Sequence, residues 1–266
     1  MDGWRSYDSV ADTYERVHVP RLAEPARDLV RAASPPPGGR VLDVGTGTGV
    51  AALEADALVG DGGLVVGVDD SLRMLEVGRR ARPKVRTIAG RAIDLPFRDG
   101  TFDAVVANFV LAHFTRYQTA LFDVLRVLRP GGRLAVNAWA DGQDELSRVW
   151  LELVWTVIPK EVLEPAIAQA IPWRDRFRHR ETFEETLMDA GLRHVRIERR
   201  QYKFVYPLDD YVEGLGTWAV GRFARSMLGD RGWASLQERA RAAFAERFAD
   251  PVLDLRDVLL AVGTKP

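Results

Sequence analysis

The 266-residue chain contains no cysteine and only four histidines, and each shortage removes a class of chemistry. Without cysteine the chain can form no disulfide, no thiolate metal site and no cysteine nucleophile. The spacing of its histidines and carboxylates suggests no metal site, and no G-x-S-x-G segment supports a Ser-His-Asp hydrolase. We therefore predict that the protein binds no metal and is not a hydrolase of that type.

The chain also lacks an excess of charge and a long apolar run. Its formal net charge is -1, so the overall field favours neither nucleic acid nor an anionic membrane as a partner. No apolar stretch approaches the length of a membrane span, and the first residues do not resemble a secretory signal. These absences predict a soluble, cytoplasmic protein that acts on a small molecule.

The most informative stretch that is present runs from Arg40 to Leu53 and reads RVLDVGTGTGVAAL. A short apolar run is followed by three glycines, Gly45, Gly47 and Gly49, and then by a segment rich in alanine and leucine. This order predicts a buried strand, a glycine turn and a helix. Backbone without side chains lets a ligand approach the amides at the start of the helix, so the turn predicts a nucleotide-like ligand.

The glycine spacing differs from the G-x-G-x-x-G pattern of dinucleotide-binding proteins. In addition, Asp43 precedes the turn, and an acid there would repel a pyrophosphate but would suit a ligand with a positive charge, such as an ammonium or a sulfonium. The pattern therefore disfavours a nicotinamide dehydrogenase.

Several segments resemble the motifs of class I S-adenosylmethionine-dependent methyltransferases that act on small molecules, including the menaquinone and ubiquinone group. The segments are, in chain order, SYDSVADTYE (6–15), VLDVGTGTG (41–49), GRAIDLPF (90–97), FDAVVANFVLAH (102–113) and LRVLRPGGRLAV (125–136). The resemblance implies that S-adenosylmethionine is the cofactor and that the reaction is methyl transfer, with oxygen favoured over nitrogen and carbon as the accepting atom.

Asp69 follows the second predicted strand about twenty residues after the glycines, where a carboxylate can accept both hydrogens of a ribose diol. In the family this role belongs to the first acid after the strand, and we expect Asp70 to cap the next helix together with Ser71. The third motif departs from the family at Arg91, which stands where an acid normally contacts the adenine. Asp94 or a backbone carbonyl could take over that contact.

The resemblance and the strand ends together give a set of candidate site residues. We expect His113, paired with Tyr14 or Tyr7, as the candidate catalytic group. The candidate cofactor-binding residues are Tyr14, Asp43, Gly45, Thr46, Gly47, Gly49, Asp69, Asp70, Met74, Ala92, Ile93, Asn108 and Phe109.

The alternation of strands and helices predicts an α/β fold, Rossmann-like and doubly wound, with a mostly parallel seven-stranded sheet and an added helical lid. We expect one domain with its core at about 34–140, 181–204 and 257–266, and a lid at about 1–33, 141–180 and 205–256. The sixth strand is expected at 195–199 and an antiparallel seventh at 258–264. Aromatic residues of the lid are candidates for lining a pocket, namely Trp150, Trp155, Trp173, Trp218, Phe223 and Trp233.

Two other functions remain open at this point. The fold could bind the cofactor yet catalyse a step without methyl transfer, such as a cyclisation, or it could bind the cofactor without any catalysis. A homodimer is a further open expectation, since the aromatic residues of the lid could pack in a subunit interface as well as in a pocket.

Overall fold

The structure is a computed structural model and describes residues 3–142 and 144–266. Its centre is a seven-stranded sheet with the order β3-β2-β1-β4-β5-β7-β6, in which β7 runs antiparallel to both of its neighbours. The strands are β1 (Arg40–Val44), β2 (Leu64–Asp69), β3 (Arg86–Ala89), β4 (Phe102–Asn108), β5 (Leu128–Trp139), β6 (Arg193–Tyr206) and β7 (Val252–Thr264). The predicted fold class is confirmed.

Helices cover both faces of the sheet and one end of it. They are α1 (Ala11–Val17), α2 (Val19–Ala33), α3 (Val50–Val59), α4 (Leu72–Ala81), α5 (Tyr117–Val127), α6 (Glu145–Trp155), α7 (Lys160–Ala170), α8 (Arg174–Arg178), α9 (Arg180–Asp189), α10 (Leu208–Gly214) and α11 (Ala219–Arg247). Within the described residues, none of these helices has both the length and the apolar character needed to cross a bilayer.

The division between core and lid differs from the predicted one at two helices. α2 packs its buried face, including Leu29 and Val30, against α3 and the sheet. α8 buries Phe177 among the core residues on the opposite face of the sheet. α1, α6, α7, α10 and α11 share a separate apolar cluster with Leu22 of α2 and with residues of β6 and β7, and we refer to these five helices as the lid. The amphipathic pattern of α2 does not distinguish packing on a sheet from packing in a lid.

The last two strands are much longer than predicted and extend beyond the sheet toward the lid. β6 and β7 remain paired from Tyr206 with Val252 to Arg193 with Thr264, whereas β5 pairs only with the later half of β7. Along the extension, Tyr202, Phe204 and Tyr206 alternate with exposed residues and point inward. This period of two buries one face of the strand pair against the lid helices.

The loop between β3 and β4 is held by a polar contact from α5. Asp123 is buried and accepts hydrogen bonds from the backbone N–H of Leu95 at 2.5 Å and from the Arg126 guanidinium at 2.6 Å. Arg126 in turn donates to the carbonyl oxygens of Leu95 and Phe97 at 2.9 and 2.7 Å. Since this loop borders the ligand-binding end of the sheet, the contact fixes one wall of the cavity described below.

We predict that Asp123→Ala lowers the free energy of unfolding by about 2 to 4 kcal/mol, because it leaves a buried backbone donor and a partly buried guanidinium without their acceptor. The midpoint of urea denaturation measures this loss. Asp99→Ala is the matched control, since Asp99 pairs with the same arginine but is 80% exposed, and it should cost no more than about 0.5 kcal/mol. Equal losses in the two variants would contradict the assignment.

Candidate active site

A cavity of about 970 Å³ lies at the carboxyl ends of the parallel strands and continues under the lid. Such strand ends form the ligand crevice in open α/β sheets. One part of the cavity is bordered by the glycine turn and the ends of β2 and β4, and the other by aromatic residues of the lid. The sheet thus places a cofactor-sized crevice and an apolar chamber in one continuous space.

The glycine turn adopts a backbone that other residues rarely take. Gly45, Gly47 and Gly49 all have positive φ angles, of 67°, 56° and 94°. A Cβ on Gly45 would overlap the side chain of Val110, whereas the nearest atom to a Cβ on Gly47 would be the methyl carbon of Met74 at 3.8 Å. Gly45 is therefore required by packing, and Gly47 leaves its cavity side open.

The structure corrects the expected roles of Asp43 and Thr46. Asp43 is fully buried beneath the turn and accepts hydrogen bonds from the Thr46 hydroxyl at 2.7 Å and the Ala52 N–H at 3.0 Å. Both side chains, and Gly49, stand outside the cavity wall. Burial raises the pKa of Asp43 to about 7. Its carboxyl therefore holds the turn and the start of α3 instead of facing a ligand's positive charge.

Asp69 is the carboxylate that does border the cavity. Its two oxygens accept the N–H groups of Gly47 at 2.8 Å and Ser71 at 2.9 Å, and burial raises its pKa to about 6. Ser71 is the N-cap of α4, with its hydroxyl accepting from Met74 N–H at 3.1 Å, and Asp8 accepts from Arg73 N–H at 3.2 Å, so the expected capping by Asp70 is wrong. Asp70 is exposed at the rim of the cavity.

The wall opposite the glycine turn contains the irregular third motif. Ala92 and Ile93 line the cavity there together with Arg91, whose position is exposed. Met74 lines the cavity from α4 and is buried. Asp94 is exposed and lies off the cavity wall, so it is not placed to replace the missing acid.

The end of β4 carries two further predicted residues, and both line the cavity. The Asn108 side-chain oxygen accepts from the buried amide of Asn137 at 3.0 Å, which fixes its orientation. Phe109 has a positive φ of 57° and stacks on Trp139 with ring centres 4.1 Å apart. A phenylalanine in this backbone region is unusual, and the stack with Trp139 accompanies it.

A row of seven rings, each in contact with the next, borders the middle of the cavity, and we refer to this row as the aromatic collar. Neighbouring ring centres are 4.1 to 6.1 Å apart. In contact order the members are His113, Tyr7, Tyr14, His18, Trp218, Trp139 and Phe109, and all seven line the cavity. Of the lid aromatics proposed from sequence, only Trp150 and Trp218 reach the cavity wall.

The candidate catalytic pair lies in this collar, with Tyr7 as the partner of the histidine. The Tyr7 ring meets His113 edge-on at 6.1 Å, while Tyr14 contacts Tyr7 and His18. Burial and the positive charge of Arg222 lower the pKa of His113 to about 4. Burial also raises the pKa of Tyr14, which therefore keeps its phenolic proton. His113 is neutral near pH 7 and can accept a hydrogen bond.

His18 has no motif around it in the sequence, but it lines the cavity. Its Nε2 lies 2.7 Å from the Thr217 hydroxyl, which already donates its only hydrogen to the Gly214 carbonyl at 2.8 Å. Nε2 must therefore carry the hydrogen, which leaves Nδ1 as an acceptor facing the Tyr206 hydroxyl at 3.5 Å. Burial lowers the pKa of His18 to about 4, so the ring is neutral.

Comparison with known proteins agrees with this geometry. Residues 42–136 match the family model described as a methyltransferase domain. The chain is 47% identical over 111 residues to a demethylmenaquinone methyltransferase of Renibacterium salmoninarum, covering 41% of this chain and 45% of that one. It spans about half the length of the curated relatives it matches.

Two solved structures share the fold. The phosphoethanolamine N-methyltransferase 2 of Haemonchus contortus, in complex with phosphomonomethylethanolamine and S-adenosylhomocysteine, matches with a TM-score of 0.62 and 18% identity, covering 100% of this chain and 59% of that one. The [4+2]-cyclase SpnF matches with a TM-score of 0.53 and 19% identity, covering 91% and 80%.

Residues 42–136 therefore resemble a methyltransferase domain, and the chain has the Rossmann-like fold of the structures that it matches. The predicted resemblance to S-adenosylmethionine-dependent methyltransferases of the menaquinone and ubiquinone group is confirmed.

The raised pKa of Asp43 predicts the direction in which the stability of the protein changes with pH. Because the folded state holds the proton from about pH 4 to about pH 7 while the unfolded chain releases it, this group makes the protein less stable as pH rises through that interval. Asp43→Asn, which stays neutral, should match the wild type near pH 4. It should gain stability relative to the wild type up to about pH 7, by on the order of 3 to 4 kcal/mol.

Urea denaturation of the ligand-free protein at several pH values measures this difference. Asp56→Asn, at an exposed position of α3, is the control and should leave the pH dependence unchanged. A stability difference between Asp43→Asn and the wild type that stays constant from pH 4 to 8 would refute the role of Asp43.

Proposed function

We propose that the protein transfers the methyl group of S-adenosylmethionine to a small molecule with a flat, largely apolar ring, and that oxygen is the accepting atom. The observation that carries this proposal is the single cavity in which Asp69 and the glycine turn open directly into the aromatic collar. A cofactor and a ring-shaped acceptor can meet there without crossing solvent.

The residues of the crevice fit this cofactor. Space is open above Gly47, and each Asp69 oxygen can accept a second hydrogen bond besides the one it already receives. Asp69 and the backbone of Gly45 and Gly47 would hold the polar parts, while apolar contacts come from Met74 and Ile93. When bound, S-adenosylmethionine supplies a methyl group on a positively charged sulfur, and aromatic faces attract such a charge.

Orientation is the main contribution that this site can make. Holding two reactants in line supplies roughly 7 to 11 kcal/mol, whereas a general base adds about 3 to 5 kcal/mol. A base with a pKa of about 4 is weak at neutral pH, so His113 orients a hydroxyl group by accepting its hydrogen bond. Tyr14 stays protonated and acts as a donor, and the packed rings of the collar exclude water.

The aromatic walls of the chamber favour an aromatic acceptor such as a phenol or a quinol. The relative from Renibacterium salmoninarum is a demethylmenaquinone methyltransferase, which supports the same class of acceptor. A quinol offers both oxygen and ring carbon as accepting atoms, so the position of the new methyl group has to be read from the product.

Mass spectrometry of reactions with S-adenosylmethionine and a panel of phenols and quinols tests the proposal. We expect a product heavier by one methyl group, with an NMR shift typical of a methoxy group. Asp69→Ala should abolish turnover and weaken binding of S-adenosylhomocysteine in calorimetry by at least tenfold, because charge-assisted hydrogen bonds to the cofactor are lost.

Glu76→Ala, at an exposed position on α4, should retain both turnover and cofactor binding. Absence of cofactor binding by the wild type would sink the proposal. A product of unchanged mass would favour a cyclisation, and binding without any product would favour a non-catalytic protein.

The neutral state of His113 predicts the pH dependence of the reaction. Since the unprotonated ring is the active form and its pKa is about 4, protonation of His113 should reduce activity only below about pH 5, whereas Asp69, with a pKa of about 6, adds a separate step through binding of the cofactor. The imidazole signal in NMR titrations should show the same low pKa. A titration of His113 near pH 6.5 would contradict the structure.

A further inference from the structure

The far end of the cavity differs in character from the aromatic collar, because two charged residues of β7 form part of its wall. Asp254 and Arg256 lie on the inner face of the β6–β7 extension. Asp254 pairs in register with Phe204, whose ring contacts Trp139 of the collar at 6.2 Å. Directly paired residues of an antiparallel pair point to the same face, so Asp254 continues the wall beyond Phe204.

The ion pairs among Asp254, Arg256 and Asp144 do not use the second carboxylate oxygen of Asp254. The Arg256 guanidinium contacts Asp254 Oδ1 at 2.7 Å and Asp144 at 2.8 Å. Asp144 is also the N-cap of α6, where both of its oxygens accept hydrogen bonds from Ser147. The contacts that the described residues make with Asp254 are to Oδ1, and the residue borders the cavity, so Oδ2 is available to a ligand there.

A carboxylate oxygen at the wall of a cavity can accept a hydrogen bond from a ligand that enters the cavity. Burial raises the pKa of Asp254, while Arg256 opposes the shift. The cluster contains two carboxylates and one guanidinium, so it favours a group that brings a hydrogen and no negative charge. A ligand that donates O–H or N–H would meet both conditions.

We propose that Asp254 is a specificity-determining residue that accepts a hydrogen bond from a hydroxyl or amino group at the end of the acceptor molecule remote from its reacting atom. This inference rests on the proposed methyl transfer, because it assumes that the reacting end of the acceptor lies in the collar. It adds a polar contact at the lid end of an otherwise apolar chamber.

The strand geometry sets the length of such a molecule. Trp139 pairs with Val258, four residues from Asp254 along β7, which corresponds to about 13 Å at about 3.3 Å per residue. The cavity of about 970 Å³ lies at the upper end of the range of about 300 to 1,000 Å³ that pockets for small ligands occupy. A rigid molecule of two linked rings, together with a hydrogen bond at its remote end, is of comparable length.

Three biphenyl probes that differ only in the remote group test the proposal. They are 4,4'-biphenol, 4'-(aminomethyl)biphenyl-4-ol and 4'-methoxybiphenyl-4-ol, and the last has no remote donor. Calorimetry in the presence of S-adenosylhomocysteine should show that at least one of the two donors binds wild-type protein about 10- to 100-fold more tightly than the methoxy probe. The comparison of the hydroxyl and amino probes identifies which donor the site takes.

Asp254→Asn should reduce this preference to about onefold, because the amide can present a donor where the free oxygen stood. Asp257→Asn is the matched control: Asp257 is an ion-paired aspartate of the same strand that lies off the cavity wall, and its substitution should preserve the preference. The inference would be overturned by the wild type alone if it bound all three probes equally, or if it bound none of them. A preference that survives in Asp254→Asn would overturn it as well.

A separate titration with S-adenosylhomocysteine alone distinguishes the two levels of proposal. A protein that binds the cofactor product but shows no probe preference keeps the methyltransferase assignment and loses the role of Asp254. A protein that fails to bind it loses the assignment itself.

Discussion

The buried carboxyl of Asp43 joins the end of β1 to the first turn of α3, and the shape of the glycine turn depends on it. With Thr46 held from below, the Gly47 amide points to Asp69, and Asp69 also receives the amide of Ser71. The Ser71 hydroxyl donates to Asp8 at 2.5 Å, which ties the N-terminal segment to the same site. A chain of short polar contacts thus runs from the middle of the sheet to the residues that cover the cavity.

The features that sequence predicts well are the ones that a few neighbouring residues determine. The glycine turn follows from the positive φ angles that only glycine adopts easily, and Asp69 follows from its place at a strand end. Asp43 shows where local reasoning fails. An acid before the turn could point to a ligand or inward, and the choice depends on donors supplied by Thr46 and by Ala52, nine residues along the chain.

The features that sequence could not predict depend on contacts between distant segments. The aromatic collar takes its rings from the N-terminal helices, the ends of β4 and β5, and the segment before α11, and no spacing in the sequence connects these regions. His18 has no motif around it, yet Thr217 and Tyr206 fix its tautomer from almost 200 residues away. The alternation of Tyr202, Phe204 and Tyr206 was a readable signal for the strand extension, but its inward face has meaning only with the lid in place.

The continuity of β7 affects which lengths of molecule the chamber can accept. One half of this strand is hydrogen-bonded between β5 and β6 in the sheet, and the other half carries Asp254 out to the lid. Because a strand paired in this way is a stiff element, the separation between the collar and Asp254 does not depend on how the lid helices are arranged. β7 therefore fixes the distance between the collar and Asp254, and we expect only molecules of a matching length to contact both.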